Sequence, residues 1–88
     1  MENLEKNALR QRVLGLIGAV AGRDPATLEA GQHLMADLSI DSPKALQLLM
    51  DIEEALNIEI PDDDAARFER VGDLADYVVG VAAGGAGS

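Results

Sequence analysis

Asp41-Ser42-Pro43 is the point in this chain that narrows the possible folds most. An apolar run ending in Leu38-Ser39-Ile40 stops there, and directly behind it Ala45, Leu48, Leu49, Ile52 and Leu56 recur at helical spacing. Asp and Ser are good helix N-caps, and Pro is accepted in the first turn, where a missing N–H leaves no intrahelical bond unmade. The triplet predicts the start of a helix that runs to about Leu56. Asn57 can take the left-handed conformation that ends a helix, and Ile58-Glu59-Ile60-Pro61 reads as extended. Ser42 is ambiguous at this stage. It is either a cap, worth about 1 kcal/mol, or a hydroxyl displayed for modification, and Asp41 offers the capping service next door. A phosphodiester on Ser42 would sit at the positive end of the helix dipole, where anions are favoured.

Three further segments follow from the same period. Leu9, Val13, Leu16, Ile17 and Val20 predict an amphipathic helix over about 3–21, stopped by Gly22 with Pro25 beyond it. Gly15 and Gly18 inside it each cost up to about 1 kcal/mol relative to Ala, so packing must hold that helix together. Asp62, Asp63 and Asp64 supply caps and first-turn acids for a short helix through about Phe68. Val71-Gly72-Asp73 opens a last helix with Leu74, Tyr77, Val78 and Val81 inward, and the glycine-rich end AAGGAGS reads as a flexible tail. Residues 22–41 form a long connection, pinned by Leu28, Leu34, Met35, Leu38 and Ile40; connections of this length tend to be functional. No segment alternates as a strand does. The expected fold is all-α, a small bundle of three main helices plus one short helix.

Composition excludes several function classes. Eighty-eight residues make one small domain, which buries only about 60–65% of its unfolded surface. The absence of cysteine removes disulfides and thiolate metal sites and fits a reducing, cytoplasmic setting. No stretch approaches the ~18 apolar residues of a membrane span, and MENLEKNALRQR lacks the apolar core of a secretory signal. Sixteen acids against seven bases give a net charge of −9, which repels nucleic acid and anionic lipid and steers toward basic proteins. Residues 41–64 carry eight acids and one base, a net of −7, so the charge is concentrated around the second helix. Leu46 and Met50 lie at the edge of that field, either as the margin of the core or as an apolar anchor for a docking partner.

Autonomous catalysis has little support. The one histidine, His33, lies in the long connection without a neighbouring carboxylate in sequence, and no glycine-rich elbow, Walker or dinucleotide pattern is present. The acid run at 62–64 fails as a calcium loop: counted from Asp62, the sixth position is Arg67 rather than glycine, and the twelfth is Asp73 rather than glutamate. No metal site is expected.

The pattern DLSIDSPKALQLLMDIEEALNIEIPDDD, followed by VGDLADYVV, resembles the acyl carrier proteins of fatty-acid and polyketide synthesis over about residues 9–82. The resemblance implies that a phosphopantetheinyl transferase attaches 4'-phosphopantetheine from coenzyme A to Ser42, with Asp41 serving transferase recognition. The terminal thiol of the arm would carry acyl intermediates as thioesters among an acyltransferase, a ketosynthase or other acyl-processing enzymes with basic docking patches. It also implies that the second helix docks those partners through Pro43, Lys44, Leu46, Gln47, Met50, Asp51, Glu53 and Glu54. On this reading the chain is a monomeric, cytoplasmic carrier and not an enzyme, with the carrier domain at 1–83 and a tail at 84–88. The polar start and glycine-rich end suit a standalone protein, and the tail equally suits the stub of a linker. Small inward residues such as Ala45 and Gly15 would leave a cleft for a sheltered acyl chain.

The chain departs from the family pattern at three places. Pro43 replaces the usual leucine after the serine, and Lys44 and Gln47 stand where acids are common. Losing two acids and gaining a base at the head of the docking helix implies a specialised partner set, as in polyketide assembly. Alternatives are a peptidyl carrier, which the charge of −9 disfavours, and a helical interaction subunit that carries no arm.

Overall fold

The computed structural model describes residues 2–84. Four helices follow in order among these: α1 (Glu2–Ala21), α2 (Ser42–Leu56), α3 (Asp62–Ala65) and α4 (Val71–Gly84), with a single 3-10 turn at Pro25–Thr27. This is the small all-α bundle expected. The described residues contain no strand, and their one isolated bridge pairs His33 with Arg70. α1 packs against both α4 and α2. An Arg10–Asp76 ion pair of 2.8 Å crosses from α1 to α4, and Arg12 donates to the Ala55 carbonyl at the end of α2.

The helical stripes read from sequence face inward. Val13 and Ile17 of α1, Leu48 and Ile52 of α2, and Leu74 and Val78 of α4 are the closed centre of the core. Leu28, Leu38 and Ile40 of the connection are buried with them, so the long loop is part of the core and not an appendage. Met35 was expected among those anchors and is instead 57% exposed. A tight turn explains this: Ser39 N–H donates to the Met35 carbonyl and Ile40 N–H to that of Leu34. The turn sends Leu38 and Ile40 inward while Met35 stays on its outer side.

Helix ends follow the capping chemistry. At the end of α1, Gly22 adopts φ +71°, and Arg23 N–H reaches back to the Gly18 carbonyl at 2.9 Å, closing a Schellman turn. A Cβ on Gly18 would lie 2.6 Å from the Arg23 carbonyl oxygen, whereas one on Gly15 would meet nothing within 4 Å. Asn57 ends α2 at φ 54°, as anticipated, and Ile58 N–H returns to the Glu53 carbonyl. α3 is shorter than expected. The N–H groups of Arg67 and Phe68 bond three residues back, a tight turn that swings Phe68 into edge contact with Tyr77 at 5.1 Å between ring centres.

α4 starts against the long connection. Val71 and Gly72 N–H donate to the carbonyls of Gln32 and Ala30, and Leu34 N–H donates to that of Glu69. Asp73 reaches back to accept from Glu69 and Arg70 N–H, the reciprocal half of a capping box. Val71, read from sequence as part of the cap, is 1% exposed and also a core residue. α4 continues to Gly84, so residues 82–84, expected in the tail, are helical. The rest of that tail, 85–88, lies outside the described residues.

Tyr77 links α4 to α3 through a 2.8 Å hydrogen bond from its hydroxyl to Asp64. Burial, then the bond to Asp64 and the carboxylate's charge, raise its pKa above the usual value, which is about 10. The folded state thus favours the neutral phenol. This contribution to stability is complete below about pH 10 and is lost as pH rises through the higher folded value. With one tyrosine and no tryptophan in the chain, tyrosinate absorbance reports this group alone. Its midpoint is expected to lie higher in the native protein than in urea; equal midpoints would refute the assignment.

Candidate functional site

The site at the head of α2 is built by its cap. Asp41 has an extended backbone and its side chain accepts the Lys44 N–H, so Asp41 is the N-cap. Ser42 is then the first helical residue and Pro43 the second. Of the two readings of Ser42, the structure gives the capping role to its neighbour Asp41. Ser42 is exposed, and its hydroxyl has no hydrogen-bond partner among the described residues. Such a hydroxyl can receive a phosphodiester without displacing a packed side chain. The positive end of a fifteen-residue helix and the exposed Lys44 favour the anion there, against the nearby Asp41 carboxylate.

The other residues singled out on α2 fall into two groups. Leu46 and Met50 are 61% and 53% exposed, four residues apart on one face. They stand clear of the core margin. Lys44, Gln47 and Glu54 are also exposed, and Gln47 donates to Asp51 across one turn at 2.7 Å. Glu53 differs. It is half-buried, and its carboxylate accepts the Ile60 N–H at 2.8 Å, tying the extended segment back to α2. Its sequence context as one of a run of acids gave no sign of that inward task.

An apolar cavity of about 150 Å³ opens beside α2, lined by Ile40, Ala45, Leu48, Leu49, Phe68 and Leu74 among others. Ala45 contributes the space expected of it; Gly15 does not line this cavity. The ionisable side chains on its wall are His33 and Glu69. His33 has a defined role in the loop: its Nδ1 accepts the Ala36 N–H, and its own N–H donates to Asp37. Sequence reasoning anticipated a cleft at Ala45 but not the rest of its lining, because the walls come from α2, α4, the connection and the segment around Phe68, which meet only in three dimensions. Among the described residues, no group of three or more His, Cys, Asp or Glu is placed to hold a metal ion, and no helix is long and apolar enough to cross a membrane.

The family model described as "Phosphopantetheine attachment site" matches residues 11–78, which contain the whole of α2 and most of α1 and α4. The chain belongs to the acyl carrier protein family. It is 35% identical to the acyl carrier protein of Bdellovibrio bacteriovorus over 71 residues, 81% of this chain and 91% of that one. It is 32% identical to the acyl carrier protein of Syntrophobacter fumaroxidans over 71 residues, 81% of this chain and 88% of that one. Family membership supplies the cofactor, phosphopantetheine, and the general partners of acyl carrier proteins, a phosphopantetheinyl transferase and acyl-processing enzymes. A protein of this family is a carrier on which other enzymes act.

Proposed function

We propose that Ser42 carries the 4'-phosphopantetheine arm and that the chain delivers acyl groups to enzymes docking on α2. The observation behind this reading is the exposed, unpartnered Ser42 hydroxyl at the head of α2, inside the segment matched by the family model. The bound group supplies a terminal thiol that holds the acyl chain as a thioester. Attachment forms one Ser42 Oγ–phosphorus bond and breaks the pyrophosphate of coenzyme A, with the adenosine bisphosphate leaving. The hydroxyl proton must go to a base, and Ser42 Oγ has none hydrogen-bonded to it among the described residues, so the transferase is the source of that base. Asp41 presents the serine by fixing the helix start. The test is the intact mass after incubation with coenzyme A and a transferase, and a chain that takes no adduct is an interaction subunit instead.

Leu46 and Met50 are the apolar anchor for partner enzymes, and Asp51 and Glu54 steer basic patches toward it. Glu53 adds charge while holding Ile60. The cavity shelters the acyl chain. Dry cavities of about 150 Å³ lined by Leu, Ile and Phe accept a molecule the size of benzene, which corresponds to about six carbons.

Pro43, Lys44 and Gln47, all exposed at the head of α2, suit a specialised partner set such as polyketide assembly. In a host depleted of its housekeeping fatty-acid carrier, this chain is therefore expected not to restore chain elongation. Elongation at the normal rate would remove the case for specialisation.

A further inference from the structure

The cavity wall is apolar except at one edge, where His33 and Glu69 line it. The imidazole is already oriented. Its Nδ1 accepts the Ala36 N–H at 3.0 Å, so in the neutral ring the proton lies on Nε2. Nε2 has no acceptor among the described residues, and the half-buried ring is held in place by the turn that its own Nδ1 and backbone N–H help to close. The result is an oriented imidazole donor on the edge of a pocket whose other lining side chains, Glu69 apart, are hydrocarbon or thioether.

A saturated chain entering this pocket strips water from the donor and gives nothing back, and a buried donor without a partner is destabilising. A chain bearing a carbonyl oxygen replaces the lost water. We propose that His33 Nε2–H is a specificity-determining donor for an oxygen on the acyl chain, so that the carrier shelters β-oxoacyl groups more firmly than saturated ones of equal length. Glu69 sharpens the choice, because its carboxylate repels a chain that ends in another carboxylate. This inference rests on the proposed arm at Ser42 and adds to it the class of cargo.

The test uses the full chain loaded with four arms: butanoyl, 3-oxobutanoyl, hexanoyl and 3-oxohexanoyl. Intact mass establishes loading first. A chain that accepts no arm overturns the Ser42 reading, and this inference with it. On loaded protein, imidazole nitrogen NMR reads His33 directly, since it is the chain's one histidine, and methyl signals of Leu48 and Leu74 report how often the chain is inside. The 3-oxo arms are expected to move the Nε2 resonance and to raise the inside-to-outside ratio roughly two- to tenfold over their saturated partners. His33→Asn can still accept the Ala36 N–H through its side-chain oxygen, while its amide NH2 is attached at Cγ and stops short of the Nε2 position, and should erase that preference while leaving saturated arms unaffected. Equal ratios for oxo and saturated arms in the wild-type carrier, or an oxo preference that survives in His33→Asn, would overturn the inference and leave the Ser42 reading standing.

Discussion

Incubated with coenzyme A and a broad-specificity phosphopantetheinyl transferase, the wild-type chain is expected to gain one phosphopantetheine adduct and Ser42→Ala none. The loss should be complete, because the adduct is a single covalent bond to one oxygen. It should also leave the fold untouched: Ser42 is exposed and its side chain makes no hydrogen bond among the described residues, and the N-cap belongs to Asp41. Asp41→Ala separates the two roles. It removes the bond to Lys44 N–H and should cost about 1 kcal/mol of stability. It should also slow modification well beyond that effect, since the helix start that presents the serine frays. An adduct on Ser42→Ala would place the attachment elsewhere, and unchanged kinetics in Asp41→Ala would remove the presenting role.

Gly18→Ala is expected to destabilise the fold, unlike Gly15→Ala in the same helix. The new Cβ would lie 2.6 Å from the Arg23 carbonyl oxygen and 3.3 Å from the Pro25 ring. Neither neighbour is the free end of a flexible side chain, and the Schellman bond from Arg23 to Gly18 holds them close. Overpacking of this kind costs about 1–3 kcal/mol, only partly offset by up to about 1 kcal/mol of improved helix propensity. In a domain of this size the melting midpoint should fall by about 4–8 °C for each kcal/mol of net loss. Gly15→Ala is the internal control, with open space around the added methyl, and should raise the midpoint. Midpoints shifting in the same direction for both would show that the close approach at Gly18 does not govern stability.

These two glycines mark where the sequence is readable and where it is not. Both appear as equal costs in a helix interior, since propensity is a local property. Only the return of the chain through Gly22 and Pro25 distinguishes them. The start and end of α2 were legible in detail because Asp41, Pro43 and Asn57 act on their own backbone. The inward stripes of α1 and α2 were legible because a period of 3.6 survives packing. Met35 was misplaced because the turn that exposes it is made of backbone hydrogen bonds, which leave no trace in side-chain hydrophobicity. Glu53 belongs to the same class: its partner is the backbone N–H of Ile60, seven residues away. For the proposed site, the residue types around Ser42 pointed to the head of α2, whereas the full lining of the cavity and the orientation of His33 needed the fold.

The pairing of the long connection with the first turn of α4 has a mechanical consequence. Leu34 N–H is held by the Glu69 carbonyl, while Val71 and Gly72 N–H are held by those of Gln32 and Ala30. His33 and Leu34 on one strip, and Phe68 and Glu69 on the other, are also walls of the cavity. The two strips behave as the teeth of a clasp across its rim. The pocket cannot widen at that edge without opening the clasp, and an open clasp leaves donors at the start of α4 without acceptors. On the proposal that the cavity shelters the acyl chain, admission of cargo longer than the resting cavity draws directly on the cohesion of the fourth helix, so that capacity and rigidity trade against each other in the same few backbone bonds.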